Sequence, residues 1–562
     1  MRHGGERETI PNRGHHTVLE TTGGRPDGRL LGWTGIYVPK FKPNLRLSVL
    51  SRALETTVLV AVACCFAAPL ATAQTSLPTL GDTSDLTTSA ERRLGDRIIR
   101  ELYRDPDYVD DPVIAEYVQG IWQPLKAAAK ARGELSPELD ERFAWEVLLG
   151  KDRTVNAFAL PGGYLGVHLG LIGVVTTRDE LASVLAHELS HVTQRHISRL
   201  MTQQSKQTPL LLGAMVLGAL AASKNPGATQ ALVVGGQALA MQNQLNFSRD
   251  MEREADRIGY GLMEPAGFAP QGFVSMFDKL QQANRLNDNG SWPYLRSHPL
   301  TSERMADMHS RIPPGGSGAP APAANAPAST LEHAMVAARA RVLSNPGVDT
   351  LRQWVAEPQG SGFAAQPAAK RAGALYAAAL GSHQLRDAVG ARSYIQRLEA
   401  LVRSDAPALR LARLLAAEVE LGAGDAAAAL NALLADGGPG GIGADARRPE
   451  LVLRSQALLR AGRASEGTGA LQTWVATHPR DATVWQLLAS TWHAQGQTLR
   501  GVRAEAEAHA ARYDYAAAVD RFKAGQDLAR RGGPQVDYIE ASIIDTRLRA
   551  VESLLREQAA ER

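Results

Sequence analysis

Cysteine, aromatic residues and net charge are all scarce in this chain. Its two cysteines, Cys64 and Cys65, are adjacent in one apolar segment, so disulfides cannot stabilise the rest. Aromatic residues make up 5% of the 562 residues, which together with frequent alanine favours helices. Residues 1–73 hold nine Lys or Arg and five Asp or Glu; taken from totals of 61 and 58, this leaves 52 basic and 53 acidic residues. A near-neutral remainder without a basic stripe argues against nucleic acid as a partner.

The apolar run Thr56–Leu70 is too short to span a bilayer comfortably, and no stop-transfer segment follows it. Arg46 and Arg52 precede the run, and a small-residue pattern ends it at Ala73. This combination indicates a secretory signal peptide rather than a membrane anchor. We therefore expect cleavage between Ala73 and Gln74, and a mature chain in the periplasm.

The N-terminal leader, residues 1–73, leaves two questions open. A lipid-modified Cys64 would anchor the chain, but residues 61–63 lack the leucine that usually precedes such a cysteine. Residues 1–40 are rich in Gly, Arg and His, which is unusual before a signal peptide and indicates a misassigned start. We expect the expressed protein to begin nearer the signal.

Composition divides the remaining chain into two parts joined by a linker. Residues 74–312 mix helical periodicity with one strand-like region, as expected of one compact domain. Residues 313–329 consist mostly of Pro, Gly, Ala and Ser, which is a linker composition. Residues 330–562 contain Ala- and Leu-rich units of helix length, separated by glycine-containing turns. A domain boundary is therefore predicted at 313–329.

The C-terminal units resemble tetratricopeptide repeats. Trp485, Leu488, Ala489 and Trp492 fall at positions typical of a first repeat helix, and residues 513–518 would open the next hairpin. Because the period is degenerate, a generic helical bundle is the alternative. Repeat arrays present a concave groove, so a partner protein is implied.

One predicted helix carries a metal-binding pattern. Thr177 is its candidate N-cap, and Glu180 is placed to complete a capping box with the cap's own backbone N–H. His187 and His191 lie one helical turn apart, so both imidazoles point the same way and can share one zinc ion. Glu188 lies on the neighbouring face, where it can take a proton from a zinc-bound water without ligating the metal. Because the pattern also arises by chance, its context has to decide.

The third ligand is expected roughly 60 residues further along the chain, beyond any local-spacing rule. A third histidine shortly after the pattern is excluded, because Ile197 holds that position. Glu252 and Asp256 lie one turn apart on a second helix, which Ser248 could cap. We predict Glu252 as the third ligand and Asp256 as the acceptor of a histidine N–H. Two unrelated surface carboxylates are the alternative, and Glu254 is expected to be a solvated neighbour.

Four segments of the expected mature chain occur together in a specific order. They are residues 156–163 (NAFALPGG), 181–196 (LASVLAHELSHVTQRH), 247–259 (FSRDMEREADRIG) and 297–300 (SHPL), with the repeats after them. In these segments the chain resembles the HtpX and CAAX-prenyl-protease family of gluzincin metallopeptidases. The resemblance implies zinc on His187, His191 and Glu252, catalysis by Glu188, and surveillance of outer-membrane proteins.

A hairpin is predicted just before the metal-binding helix, where apolar runs flank Pro-Gly-Gly at 161–163. One exposed strand there, at Asn156, Ala157 and Phe158, could hold an extended substrate through backbone hydrogen bonds. Such binding would tolerate many unfolded sequences. His168 is expected to be a strand residue without a metal role.

His298 is assigned to the active site as well. The resemblance places the histidine of the Ser-His-Pro segment on a loop over the site, where it can fill the open position of the zinc as a plug. A fourth protein ligand would displace the catalytic water. Stabilising the oxyanion of the reaction, or a purely structural loop role, are the alternatives. His196 and His309 are expected to lie outside the site.

An apolar insert, 209–241, separates the two zinc-binding helices. Its two pieces, 209–222 and 228–241, are each about fourteen residues, short of the roughly 20 needed to span a membrane. We expect a helical hairpin that covers the site or makes peripheral contact with a membrane surface. Packing within a core is the alternative.

The sequence thus predicts an α+β zincin-type metalloprotease domain, mostly helical with a small sheet, followed by an all-α tetratricopeptide-like domain. We expect a zinc-dependent endopeptidase with one Zn²⁺ per chain, which degrades misfolded or stalled outer-membrane proteins and supports their assembly. The repeats would bind these proteins or the outer-membrane barrel assembly machinery. The alternative is a repeat-based chaperone or adaptor with latent proteolysis. Glu188→Gln separates the two hypotheses, since it should abolish cleavage and leave binding intact.

Overall fold

A computed structural model describes residues 86–203, 249–285, 291–311, 330–344, 346–434, 447–532 and 537–560. Several predicted features lie outside these residues. They are the leader with its cleavage site, the cap Ser248, the apolar insert 209–241 and the linker 313–329.

The first part of the described chain is mostly helical, with four short strands among residues 86–203. Its elements, in order, are α1 (Thr88–Arg104), β1 (Tyr108–Val109), α2 (Pro112–Ala131), α3 (Pro137–Arg142), β2 (Glu146–Gly150), β3 (Ala157–Leu160), β4 (Tyr164–His168), α4 (Leu169–Val174), α5 (Arg178–Thr193), α6 (His196–Gln203), α7 (Arg249–Met263), α8 (Gln271–Arg285), α9 (Tyr294–Ser297) and α10 (Ser302–Ser310).

The four strands form one sheet in the order β1-β2-β4-β3, in which β2 and β4 are parallel. β3 and β4 are antiparallel, with Phe158 opposite Gly166, so the predicted hairpin is present. Its turn contains Gly162 and Gly163 at φ of +76° and +85°, a backbone conformation that side chains resist. A Cβ on Gly163 would also lie 2.7 Å from the Cβ of Phe143. The hairpin leaves β3 at the edge of the sheet.

α5 is the central helix of this part of the chain. The hydroxyl of Thr177 accepts a hydrogen bond from the Glu180 N–H at 3.1 Å, as predicted for the cap. The capping box is wrong in one detail, because the Glu180 carboxylate accepts from the N–H of Thr176 at 2.7 Å rather than from the cap itself. The Glu180 carboxylate also accepts from the Thr176 hydroxyl and pairs with Lys279. These contacts keep it at Thr176, the residue before the N-cap.

The surroundings of α5 bury it on every side. Its buried residues run without a break from Glu180 to Thr193, wider than the predicted apolar stripe. It packs against α2, α7, α8 and the edge strand β3. Polar side chains on this helix are therefore removed from water and have to find partners within the fold.

The second part of the described chain is all helical. Its helices are α11 (Thr330–Leu343), α12 (Val348–Ala356), α13 (Ala368–Gln384), α14 (Ala388–Val402), α15 (Ala406–Ala423), α16 (Ala426–Leu434), α17 (Arg448–Arg460), α18 (Ser465–Thr477), α19 (Ala482–Ala494), α20 (Thr498–Ala511), α21 (Tyr515–Arg531) and α22 (Tyr538–Ala560), with 3₁₀ turns at Glu357–Gln359 and Phe363–Ala365. Most of these helices pack against the next one in the chain. Trp485, Leu488, Ala489 and Trp492 all lie buried on α19, where they join this packing.

One of the hydrophobic clusters among the described residues extends from the first part of the chain into the second as far as α17, and later helices contribute to further clusters. It includes Val113 and Trp122 of α2, Leu185 of α5, Tyr376 of α13 and Leu458 of α17. A buried ion pair also joins the parts, since Arg339 of α11 contacts Asp111, the N-cap of α2, at 2.6 Å. The predicted boundary at 313–329 stays a prediction, because those residues lie outside the described ranges.

Among the residues that the structure describes, none of the helices combines the length and the apolar character that a bilayer span requires.

Candidate metal centre

Two helices bring the predicted metal ligands together. His187 and His191 lie one turn apart on α5, and their Nε2 atoms face each other at 2.9 Å. Glu252 projects from α7, with its carboxylate oxygens 3.5 Å from the Nε2 atoms of both histidines. All three side chains are buried.

His298 completes this group. It caps the C-terminal end of the short helix α9, and its Nδ1 lies 3.0 Å from a Glu252 oxygen and 3.3 Å from His187 Nε2. One ligand atom from each of the four residues lies within 4.8 Å of all the others. The ring stacks on Tyr294 at a centroid distance of 4.6 Å, which fixes its plane. The group is therefore positioned to bind a metal ion.

The donor set suits a transition metal. Two imidazole Nε2 atoms facing each other at 2.9 Å, with a carboxylate beside them, present lone pairs to one point in a buried space. Nitrogen donors combined with one carboxylate are typical of zinc sites, whereas calcium and magnesium prefer oxygen ligands alone. The residues of this cluster therefore fit a zinc ion.

Glu188 lies beside the ligand group rather than in it. One of its oxygens accepts a hydrogen bond from the Ala159 N–H at 2.9 Å, and the other lies 3.4 Å from His298 Nε2. Burial raises the pKa of this carboxyl, opposed by the charges of His298 and His187. A carboxylate that is readily protonated next to a metal site can shuttle protons.

Asp256 lies next to His187, the predicted ligand that it was expected to orient. Its Oδ1 lies 2.8 Å from Nδ1 of His187, so it can orient that ring with Nε2 towards the metal. Burial would raise the pKa of Asp256, but Arg304 and His187 outweigh burial and hold the pKa below its ordinary value.

Arg304, on α10, is a site residue that the sequence analysis missed. Its guanidinium forms two hydrogen bonds to Asp256, of 2.6 and 2.8 Å, and lies 2.7 Å from Glu252. It also donates to the carbonyl of Pro299, the residue after His298. Arg304 thus connects the third ligand, the histidine-orienting carboxylate and the His298 loop. The only sequence signal was its position six residues after His298.

His196 was expected to lie outside the site and Glu254 to be a solvated neighbour; the structure places His196 against His191, and it pairs the partly exposed Glu254 with His196. His196 is fully buried, with Nδ1 2.8 Å from Nδ1 of His191. Burial lowers its pKa to about 4, so the imidazole is neutral. Its Nε2 lies 3.1 Å from Glu254, which also pairs with Arg199 at 2.9 Å. The spacing of residues along α5 could not predict these contacts, because α5 ends at Thr193 and His196 begins the next helix.

The other two histidines are placed as expected. His168 lies in β4, where its Nδ1 is 3.0 Å from the Thr154 hydroxyl. His309 is on α10, about half exposed, near Asp278.

The predicted substrate strand lies directly beside the site, at the free edge of the sheet. The carbonyl of Asn156 accepts from the N–H of His168, so Asn156 and its alternate neighbour Phe158 direct their peptide groups towards β4. Ala157 and Ala159 therefore direct theirs outwards, which the hydrogen bond from Ala159 to Glu188 illustrates. Of the three residues predicted, Ala157 alone turns its peptide group away from β4. It is completely buried, so the prediction of an exposed strand is wrong at this residue.

The loop that carries His298 runs along the same edge. Val155, two residues before Ala157, donates its N–H to the Ser291 carbonyl at 2.8 Å and accepts from the Tyr294 N–H at 3.3 Å. The loop thus forms backbone hydrogen bonds next to the edge positions that were predicted to bind substrate.

This fold and this site define a zincin-type metallopeptidase. Comparison with known families agrees, since residues 121–312 match the sequence model of Peptidase family M48, and the chain therefore contains a domain of that family.

The similar proteins extend this assignment. A beta-barrel assembly-enhancing protease of Escherichia coli is 28% identical over 466 residues, which cover 82% of this chain and 89% of that protein. A Vibrio cholerae protein whose name refers to the same protease is 34% identical over 258 residues, or 44% of this chain and 50% of its own length. A mitochondrial metalloendopeptidase of Saccharomyces cerevisiae is 27% identical over 201 residues, 35% of this chain and 55% of its own. These matches confirm the predicted resemblance.

Proposed function

We propose that this chain is a zinc metalloendopeptidase of the periplasm that degrades misfolded or stalled outer-membrane proteins and supports their assembly. The observation that carries the proposal is the buried group of His187, His191, Glu252 and His298 beside the Glu188 carboxylate. The names of the Escherichia coli and Vibrio cholerae relatives supply the class of substrate.

In this proposal His187, His191 and Glu252 hold one zinc ion per chain. When bound, zinc would polarise a water molecule and the carbonyl of the peptide bond to be cleaved. Glu188 takes the proton from the water and passes it to the leaving amine. Its hydrogen bond to Ala159 fixes the carboxylate beside the edge strand.

The substrate is held in an extended conformation along β3. The outward peptide group of Ala157, which is buried in this structure and has to be uncovered first, and the carbonyl of Ala159 would provide backbone hydrogen bonds. Such bonds require no particular side chain from the substrate. Cleavage of an unfolded chain needs this tolerance. His298 contacts both Glu252 and Glu188, so it has to move away before a substrate carbonyl can reach the metal.

The location rests on the predicted signal peptide that ends at Ala73. Export before folding would deliver the chain to the compartment through which outer-membrane proteins pass. The insert 209–241 would then make its peripheral contact at a membrane surface of that compartment.

The helices after residue 330 are assigned to partner binding as tetratricopeptide-like repeats. Their last helix, α22, exposes Tyr538 and Ile539 at 70% and 76% of their surfaces. With Ile543, 37% exposed on the same helix, they offer apolar surface that a partner protein could cover. The proposed partners are unfolded outer-membrane proteins and the barrel assembly machinery.

The exposed apolar residues on α22 also support the alternative function, a chaperone or adaptor in which proteolysis is latent. The two functions separate in Glu188→Gln, which should lose cleavage and keep binding to an unfolded outer-membrane barrel protein. A loss of binding in that variant, with fold and zinc retained, would contradict the separation.

The decisive experiment measures zinc content and cleavage of casein and of a urea-unfolded outer-membrane barrel protein by the chain from Gln74. Wild type, Glu188→Gln and His298→Ala are compared, with the exposed Glu303→Gln as matched control. We expect one equivalent of zinc, no cleavage by Glu188→Gln, faster cleavage by His298→Ala and an unchanged control. A wild type without zinc would overturn the proposal.

A further inference from the structure

The second metal-binding histidine is held on its outer side by another histidine. His191 directs Nε2 towards the ligand group, 2.9 Å from Nε2 of His187, while its Nδ1 lies 2.8 Å from Nδ1 of His196. The two rings meet edge to face, with a centroid distance of 4.9 Å and an interplanar angle of 74°. Both side chains are completely buried, so water does not compete for the contact.

The position of each proton follows from the use of each nitrogen. A metal on Nε2 of His191 takes its lone pair, so the ring proton of His191 has to be on Nδ1. Two Nδ1 atoms 2.8 Å apart need one donor and one acceptor, which makes Nδ1 of His196 the acceptor. The proton of His196 is then on its Nε2, 3.1 Å from a carboxylate oxygen of Glu254, where it can be donated.

Glu254 is in turn fixed by an arginine. Arg199 lies one turn after His196 on α6, and its guanidinium contacts the same Glu254 oxygen at 2.9 Å. Glu254 itself is on α7, two residues from the ligand Glu252. The chain of contacts therefore joins α5, α6 and α7 around one histidine.

The other histidine ligand has a matching arrangement. His187 is oriented directly by Asp256, and Asp256 is fixed by Arg304. In both cases a carboxylate paired with an arginine determines which nitrogen faces the metal. The difference is that an imidazole, His196, stands between His191 and its carboxylate.

We propose that His196 is a positioning residue of the metal centre, which accepts the Nδ1–H of His191 and thereby fixes its Nε2 towards zinc. Glu254 and Arg199 fix the orientation of His196 itself. Groups that orient a metal-bound histidine typically contribute about 10–100-fold to metal affinity. A histidine that only fills space would contribute to folding and nothing to zinc affinity.

His333 offers a matched control for that distinction. It is buried to the same extent, and it too makes two contacts, with Tyr117 at 2.7 Å and with the carbonyl of Val175 at 3.0 Å. It contacts none of the proposed ligands. Replacing either histidine by leucine removes two polar contacts at similar volume, but only His196→Leu changes the surroundings of His191.

The test is the zinc dissociation constant of the chain from Gln74, measured by competition with a chelating dye, together with the thermal midpoint of the metal-free protein. His196→Leu should weaken zinc binding about 10–100-fold. His196→Asn should recover part of the loss, because its amide oxygen can accept from His191. His333→Leu should lower the thermal midpoint and leave the zinc affinity unchanged. The visible spectrum of the cobalt-loaded protein should shift in His196→Leu alone.

The inference rests on the proposed zinc centre, and the two can fail separately. A wild type that binds no zinc overturns the proposed function. A wild type that binds zinc, with His196→Leu binding it equally well, overturns the positioning role alone. If His196→Leu does not fold, Glu254→Ala decides, since Glu254 is partly exposed and its loss frees His196 to turn. Unchanged zinc affinity in Glu254→Ala would also overturn the inference.

Discussion

Arg304 is a buried cation that contacts two buried carboxylates of the proposed metal centre. It contacts Asp256 and Glu252, and all three side chains are almost fully buried. Removing the cation would leave two acids in a low-dielectric space, and each would then repel the other. We therefore expect the stability of the fold and the metal affinity of the proposed centre to depend on the same guanidinium.

We expect Arg304→Ala to lower the free energy of unfolding of the metal-free protein by roughly 3–5 kcal/mol, the usual cost of breaking a buried ion pair on one side. Zinc affinity should fall as well, because Glu252 and Asp256 lose their fixed orientation. Urea unfolding and a zinc competition titration measure the two effects. Arg253→Ala is the control, since Arg253 is on the same helix as Glu252 but exposed. Equal stability of the two variants would contradict this account.

The spacing of residues in the sequence predicts those site residues that lie on the same helix. It predicts few of the contacts between different helices. His187, Glu188 and His191 are fixed relative to one another by the geometry of α5 alone. Predicting Glu252 and Asp256 required their spacing of one turn on a second helix. Predicting His298 required the family resemblance. Arg304 and His196 were missed because their roles depend on where separate helices meet, and no spacing rule describes such a meeting.

At the scale of elements, the hairpin of β3 and β4 connects the sheet to the site. Its two glycines and its flanking apolar runs made it predictable. Which peptide groups face outwards depends on the register, and that required the structure. The register turns the peptide groups of Ala157 and Ala159, rather than those of Asn156 and Phe158, away from β4.

Gly163→Ala should disturb this hairpin and slow cleavage. Alanine at a φ of +85° costs about 1–2 kcal/mol, and its Cβ would press on Phe143 at 2.7 Å. Gly267 is the matched control, because its φ is +84° and a Cβ there meets nothing within 4 Å. We expect Gly163→Ala to be destabilised more than Gly267→Ala in urea and to cleave casein more slowly. Similar losses in both variants would show that the close approach is unimportant.

His333 connects α11 to α2, and it should make the stability of the fold depend on pH. Burial lowers its pKa below the ordinary value, although the Val175 carbonyl opposes this. Below about pH 6.5 an unfolded histidine binds a proton while the buried one remains neutral, so the unfolded state binds more protons. The contribution of His333 to the free energy of unfolding is thus fully present above about pH 6.5, and it decreases as the pH falls below that value.

The measurement compares urea unfolding of the metal-free wild type and His333→Leu from about pH 7.5 to about pH 5, where a shallower decline is expected for the variant. His309→Leu replaces a half-exposed histidine and should follow the wild type. A decline of equal steepness in wild type and His333→Leu would refute the assignment to His333.

At the scale of the whole molecule, the two parts of the described chain are held together by charges as well as by a common core. Arg339 pairs with Asp111 and also contacts Glu418 at 2.7 Å. Arg410 and Arg447 both pair with Glu116 on α2. Sequence composition predicted the two parts of the chain but not the ion pairs between them. The paired residues lie more than 200 positions apart in the chain, so no local pattern connects them.

Cutting the chain between the parts should therefore not separate them. A specific protease site placed within 313–329 and then cleaved should give two fragments that elute together on size exclusion, with zinc retained. Arg339→Ala in the cleaved chain should weaken the association by about 3–5 kcal/mol, because Asp111 would remain buried without its partner. Separate elution of the unsubstituted fragments would contradict this expectation.

The common core also has a thermodynamic consequence. If both parts unfold in one transition, any ligand of the native state stabilises the whole, by about 2.7 kcal/mol at a hundred times its dissociation constant. A protein bound to the distal helices would then slow the thermal inactivation of the peptidase site, and zinc would protect the distal helices from proteolysis in the same way. The time for which the catalytic site remains active would thus depend on whether a partner protein is bound to the distal helices.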